Sequence, residues 1–364
     1  MKTLNFYVTK SFLATFMMSI GVLTFGMLGA RLIKVFEYMS KGVPFDVAMT
    51  FMLYVTPIAL SYTIPWAALA SIMLVFGRMS ADNEITAMRA CGISVLQIIS
   101  PIIIFTFVLT LVCLFLNVEL GPRYLGEADD LIKEVGVKQP MALLEPGRPI
   151  EFENNHIYIQ ERIGENELRD IQVFRMDEEA KQVEQDITAA KGKIEVDNQG
   201  QVLNVILYNA TVVVYDKDSQ NPRRTFSKQM TFVIDYGENF NKVKIGKRIK
   251  YLSFKEIFAR IIMDKKLGID TTRLEVELNQ RLALALSPIA FLILGMPLAI
   301  RTSRRETSIG LFLSVLLAGL YTSAITICES LYSKPGLYPQ FMLWAPNILY
   351  QIFGSVFLFR IARR

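Results

Sequence analysis

Uncharged apolar runs alternate with short charged islands at both ends of the chain, and a long polar stretch separates the two sets. Residues 11–30, 47–77, 91–118, 282–300, 309–327 and 341–359 contain no Asp, Glu, Lys, Arg or His. A helix rises 1.5 Å per residue, so about 20 apolar residues cross a hydrocarbon core of roughly 30 Å. The pattern predicts six spanning helices, with the third opening near residue 93. Pro57 and Pro65 fall in the second run and Pro101 in the third. Each proline frees a backbone carbonyl that a hydroxyl or a neighbouring helix has to satisfy.

The polar stretch changes period. A short helix is expected near 127–135, followed by apolar–polar alternation at HIYIQER (156–162), IQVFRMD (171–177), KIEVD (193–197), VLNVILYNATVVVYD (202–216) and MTFVID (230–235). Turn-forming clusters separate these runs, which predicts consecutive antiparallel strands. Ser253 and Glu256 form a capping box for a helix over 254–266 that stops at Gly268. The fold class is an α-helical polytopic membrane protein, six transmembrane helices in a three-plus-three layout, with an inserted antiparallel β-sandwich or jelly-roll domain. Its parts are helices one to three within 1–120, the β domain with flanking helices in 121–279, and helices four to six in 280–364.

Composition agrees with that class: 52% hydrophobic, 20% charged, mean hydropathy +0.34. The net charge of +5 resides beside the spans, as loop anchors do, and gives no nucleic-acid surface. Lys2, Lys10, Arg78, Arg89, Arg301, Arg304, Arg305, Arg360, Arg363 and Arg364 fall on one side, and only Arg31, Lys34, Lys41 and Lys334 on the other. The positive-inside rule therefore puts both termini in the cytoplasm and the β domain outside. The first run exceeds the apolar core of a cleaved signal peptide, so it is read as a span. Cys91, Cys113 and Cys328 have no paired spacing and His156 is the single histidine, so neither a disulfide, a metal site nor a Ser-His triad is expected. The chain has no phosphate-binding loop, G-x-S-x-G or H-E-x-x-H motif. Charges are nearly missing from mid-span, which disfavours a proton relay.

Two features carry candidate chemistry. The island MSADNEITAMRACGIS (79–94) reads as a brief helix over 80–91. Ser80 is placed to cap it, Asp82 and Glu84 to face the dipole, and Gly92 to stop it. Ile85 and Met88, or Glu84 and Met88, share a face. Such a helix is either an ordinary solvated loop or a ridge gripped by a cytoplasmic partner. Arg31 and Lys34, three apart at the outer end of the first span, are either snorkelling anchors or a pair of cations for an anionic lipid headgroup.

On the segments RLIKVF (31–36), NEITAMRACGIS (83–94), LSFKEIFARI (252–261) and ELNQRLALALSPIAFLILGMPLAI (277–300), the chain resembles the lipopolysaccharide-export permease family of paired LptF/LptG type. The resemblance covers essentially its whole length. Asn279 stands where many members carry His, and the acidic NEIT start is similar to the LptF side of the pair. The resemblance implies a non-catalytic permease of the bacterial inner membrane, without cofactor of its own. It implies pairing with a paralogous permease (a homodimer is also open) and a cytoplasmic ABC ATPase dimer that uses the ATP. Lipopolysaccharide would be extracted from the membrane and passed to a periplasmic β-jelly-roll bridge protein. It further implies that Asp82, Glu84, Ile85, Met88 and Arg89 couple to the ATPase, that Arg31 and Lys34 meet headgroup phosphates or acidic sugars, and that the β domain offers an open sheet edge. A mechanical ABC permease, or a membrane-anchored scaffold whose β domain binds a partner without moving lipid, remains the alternative.

Overall fold

The computed structural model describes residues 2–40, 43–138, 150–152, 155–163, 167–176, 183–197, 202–215, 222–235, 249–301 and 307–363. They form α1 (Lys2–Ser40), α2 (Phe45–Ala81), α3 (Glu84–Ala90), α4 (Val95–Phe115), α5 (Gly121–Lys138), six strands, α6 (Phe254–Lys266), α7 (Thr272–Arg301), α8 (Thr307–Ser330), α9 (Pro339–Met342) and α10 (Ala345–Arg363). Among the described residues, six helices are long and apolar enough to cross a membrane, so the chain is a helical polytopic protein with an inserted antiparallel β domain. It divides into two compact units. One comprises Met1–Lys34, Thr50–Ala128 and Arg248–Arg364, the other Val35–Met49 and Asp129–Lys247.

In the helical unit, α2 and α7 form the centre. Their apolar windows are 72% buried, against 11% for the first span, so α1 is peripheral and its apolar surface faces outward. Small residues let the central helices approach closely, as membrane interfaces require. A Cβ on Gly295 would sit 2.8 Å from Leu69 Cδ1, and one on Gly310 3.2 Å from the Met73 carbonyl oxygen. Tyr321 and Asn347 both donate to the Ala283 carbonyl, at 3.0 and 2.9 Å, tying the last three spans together.

The prolines leave the helices continuous because the freed carbonyls find other company. Pro101 removes the donor for Gln97, and the Ser100 hydroxyl donates to that oxygen at 3.0 Å. Pro288 does the same to Leu284, whose oxygen accepts from Ser287 Oγ at 2.6 Å. Pro297 frees Ile293, and Gly354 of α10 lies directly on that carbonyl.

The third span does not break where the sequence suggests. α4 runs through a π turn, Leu116–Leu120, straight into α5, so the short helix expected near 127–135 is the end of a continuous rod. Pro122 cannot donate, and the register slips by one residue there. The Leu116 oxygen comes within 2.8 Å of where a Cβ of residue 121 would be, so that position suits glycine.

The β domain is one antiparallel sheet in the order β1 (Ile150–Phe152), β2 (Asn155–Ile163), β3 (Glu167–Met176), β4 (Val183–Asp197), β5 (Val202–Val214) and β6 (Arg223–Asp235). Its described strands follow a meander rather than jelly-roll crossovers. A crease crosses all the long strands. Pairing lapses at Gln160/Asp170, Asp170/Ala190, Ala190/Asn209 and Asn209/Lys228, and Asp170 and Asn209 have φ of 49° and 53°. At that line each strand turns two consecutive residues outward. Ile187 and Ala189 point in on one side, Ile194 on the other; likewise Val205 and Leu207, then Ala210 and Val212. The alternation changes phase together in neighbouring strands, so the sheet bends while one face stays inside. That face carries the core: Ile157, Ile159, Leu168, Ile171, Val173, Ile187 and Phe232 among others.

Candidate functional site

The charged island between α2 and α4 folds into α3, a two-turn helix fixed at both ends. Its start differs from the sequence reading. Ser80 does not cap it: the Ser80 hydroxyl donates to the Ile300 carbonyl at 2.7 Å, fastening the end of α2 to the end of α7. Asn83 takes the N-cap position instead, in the left-handed region at φ 58° and without a side-chain cap, a conformation Asn tolerates. The expected stop holds. Gly92, at φ +82°, donates to Arg89 O and Ile93 to Met88 O, the paired bonds of a Schellman ending. Ser94 and Gln97 then cap α4 reciprocally.

Ile85, 4% exposed, is buried in the helical core and Met88 packs at its edge. These two hold α3 in place. The opposite side presents Asp82, Asn83, Thr86, Ala87 and Ala90 to the outside, while Glu84 and Arg89 are half-buried at its flanks. The Tyr7 hydroxyl reaches both Glu84 carboxylate oxygens, at 3.1 and 3.2 Å, so the start of α1 is linked to the start of α3. The result is a short rigid ridge with small residues outward, an acid at its amino end and a base near its carboxyl end. Tyr7 lies 77 residues from Glu84, and no pattern in the sequence pairs them. The small exposed side chains at 86, 87 and 90 were visible but carry no signal without the fold.

Arg31 is exposed on α1, at the end of the first span (Lys2–Ile33). Lys34 follows three residues later on the same helix; its side chain lies outside the described ones. Below them α1 is held by Phe12 and Phe16, each edge-on to Phe105, and by a Thr24–Thr63 hydroxyl contact of 2.9 Å. Met17, Val22 and Phe25 are exposed. Arg31 is thus a cation at the head of an apolar, outward-facing helix. The structure brings it nowhere near α3: they occupy opposite ends of the spans.

A third cluster escaped the sequence reading. Arg281, 6% exposed, donates to Glu277 at 2.9 Å, to the Leu252 carbonyl at 2.7 Å and to the Lys250 carbonyl at 3.0 Å. Glu329 accepts from Gln280 at 2.8 Å and Lys250 at 3.2 Å. Asn279 accepts from Trp344 at 3.0 Å. A cleft of about 120 Å³ lies against Tyr62, Asn117, Glu277 and Arg281. Its cations and carboxylates already satisfy one another, so the cluster braces the return from the β domain to the fourth span. Arg281 beside an apolar run was the available signal, since a buried cation needs partners. Among the described residues, no group of His, Cys, Asp and Glu is arranged to hold a metal ion.

The family model described as lipopolysaccharide export system permease LptF/LptG matches residues 6–361. Among curated proteins, the chain is similar to the lipopolysaccharide export system permease protein LptF of Escherichia coli K12, 19% identical over 337 residues, covering 88% of this chain and 84% of that protein. The LptF proteins of Escherichia coli O157:H7 and Shigella flexneri match with the same identity and coverage.

Proposed function

Because the chain belongs to the lipopolysaccharide export system permease LptF/LptG family, we propose that it is a transmembrane subunit of an ABC transporter that lifts lipopolysaccharide out of the bacterial inner membrane. It pairs with a paralogous permease above a cytoplasmic ATPase dimer, with both termini in the cytoplasm and the β domain in the periplasm. The observation that carries this reading is α3. It is a rigid, core-anchored ridge between two spans, with its outer side formed by small and polar residues, the shape a moving cytoplasmic partner can push on. Ile85 and Met88 act from beneath as anchors, and Asp82, Glu84 and Arg89 supply the charges at the contact. Closure of an ATPase beneath would move α2, α3 and α4 as one body, and the Tyr7–Glu84 contact would carry the displacement into α1.

The cargo's acyl chains need apolar walls, and the outward faces of α1 (Met17, Val22, Phe25) and α8 (Phe312, Val315, Leu320) are suited to that when two permeases face each other. Arg31 and Lys34 would then meet its phosphates or acidic sugars at the outer leaflet. Among the described strands β6 ends the sheet, and its edge would offer a place for strand addition by a periplasmic bridge protein.

Co-purification from the native membrane tests this. Wild-type chain should bring an ATPase, a second permease and bound glycolipid, and Glu84→Ala should lose the ATPase. A wild-type chain recovered alone would sink the proposal in favour of a membrane-anchored scaffold. An ATPase held equally by wild type and Glu84→Ala would remove Glu84 from the contact.

A further inference from the structure

Helix α6 has two apolar faces, and the fold uses only one. Ile257 and Ile261 are buried against Leu252 and Leu274. Phe258, one residue on from Ile257, is 53% exposed, and Ile262 is 43% exposed. Phe258 and Ile262 are one turn apart and form a stripe. Lys255 precedes Phe258 by three residues and Lys266 follows Ile262 by four, so these two lysines rim the same side of the helix, while Lys265 pairs with Glu275 at 2.7 Å. An apolar stripe bordered by cations is the pattern of a helix lying in a phosphate-bearing lipid surface.

The helix is also held at the right level. Just before it, Lys250 bonds Glu329 at 3.2 Å. Just after it, the Arg273 guanidinium lies over the Tyr332 ring, 5.2 Å from the centroid. Glu329 and Tyr332 belong to the last turns of the fifth span, Ile309–Ser333. Both ends of α6 are therefore fastened where a span leaves the hydrocarbon, and the fourth span begins at Thr272, directly after the Gly268 stop.

We propose that α6 is an interfacial helix: the Phe258–Ile262 stripe enters the boundary between acyl chains and headgroups, and Lys255 and Lys266 contact lipid phosphates. The helix lies along the bilayer surface, its stripe about 5–10 Å into that boundary. It sets the height at which the return from the β domain meets the membrane. The occupant is the bilayer itself, because the flanks of α6 are tied to the last turns of a span and the rim of the stripe is complementary to phosphate. This goes beyond the transport reading and holds whichever lipid is moved.

The test uses the full-length chain in nanodiscs of phosphatidylethanolamine and phosphatidylglycerol, with the exposed Cys91 replaced by serine. Nitroxide is attached in turn to Phe258→Cys, Ile262→Cys and Arg260→Cys, the last on the side where Arg260 faces Asp264. Collision with oxygen relative to a water-soluble nickel chelate should be several-fold higher at 258 and 262 than at 260. Equal nickel access at all three sites would overturn the proposal by placing the stripe in water. Labels at 258 and 262 closed to both reagents would overturn it in favour of a second copy of the chain. Should the cysteine variants not fold, Phe258→Trp reports the same depth through quenching by brominated lipid; quenching no greater than that of the native tryptophans' background would overturn the proposal.

Discussion

Replacing Gly354 with alanine should destabilise the helical unit, although alanine is the better helix former. At an unobstructed helical position the exchange favours folding by about 0.8–1 kcal/mol. Gly319 of α8 is such a position, with nothing within 4 Å of an added Cβ. At Gly354 the new methyl would overlap Ile293 O and C and Leu294 N. These are backbone atoms, so no side-chain rotation relieves the clash and α10 must move off α7. Inserting a methyl into a packed site costs about 1–3 kcal/mol. Here the displacement also strains the Asn347 bond to Ala283 at 2.9 Å and uncovers the carbonyl that Pro297 left without a donor. The net expectation is a loss of roughly 1–2 kcal/mol after subtracting the propensity gain. The full-length chain, unfolded in mixed micelles of rising dodecyl sulfate fraction and followed by tryptophan fluorescence, gives the measurement. Gly354→Ala should unfold earlier than wild type and Gly319→Ala no earlier. A Gly354→Ala protein at least as stable as wild type, or two variants shifted alike, would refute the close approach of α10 to α7.

The same assay applies to Ser287→Ala, which strips the donor from the buried Leu284 carbonyl freed by Pro288 and should cost about 1–3 kcal/mol; the double variant Ser287→Ala/Pro288→Ala, which restores a backbone donor, should recover most of it. Asp270 accepts from the Thr272 amide at 3.0 Å and its hydroxyl at 2.6 Å, and these bonds hold its carboxyl below the ordinary value of 3.8. A depressed folded-state pKa means the contribution is present above the unfolded value and lost as pH falls through the folded one. Asp270→Asn should therefore speed amide exchange at the start of α7 at neutral pH, with the difference from wild type fading once the medium is acid enough to protonate Asp270. Arg31→Ala/Lys34→Ala should lower the glycolipid recovered with the purified complex about tenfold or more, since each charge-assisted contact contributes roughly 1.5–3 kcal/mol; unchanged recovery with intact partners would return both residues to the role of anchors.

Local chemistry fixed much of this protein before any packing was considered. Apolar runs longer than a bilayer is thick cannot remain in water, so the six spans follow from the sequence. Ser253, Glu256 and Gly268 delimit α6 by bonds within a few residues, and Gly92 ends α3 in the same way. The island and the Arg31–Lys34 pair could be marked as candidates from sequence alone, because charge beside an apolar run is a local pattern. Strand limits were less so. β4 begins at Val183 and β6 at Arg223, both well before the alternation is visible, since Ala, Gly and Lys in those stretches gain their strand state from neighbours already paired. The crease through Asp170 and Asn209 exists only once five strands share a register, for a phase change in one strand has no meaning until it aligns with the next. Ser80 looked like a cap and turned to Ile300, 220 residues away. Gly354 and Gly319 look alike in sequence, yet one lies on a carbonyl and the other in open space. The tertiary structure decided these outcomes, because a hydroxyl, a glycine or a buried arginine is assigned its role by whichever distant backbone atom comes within reach.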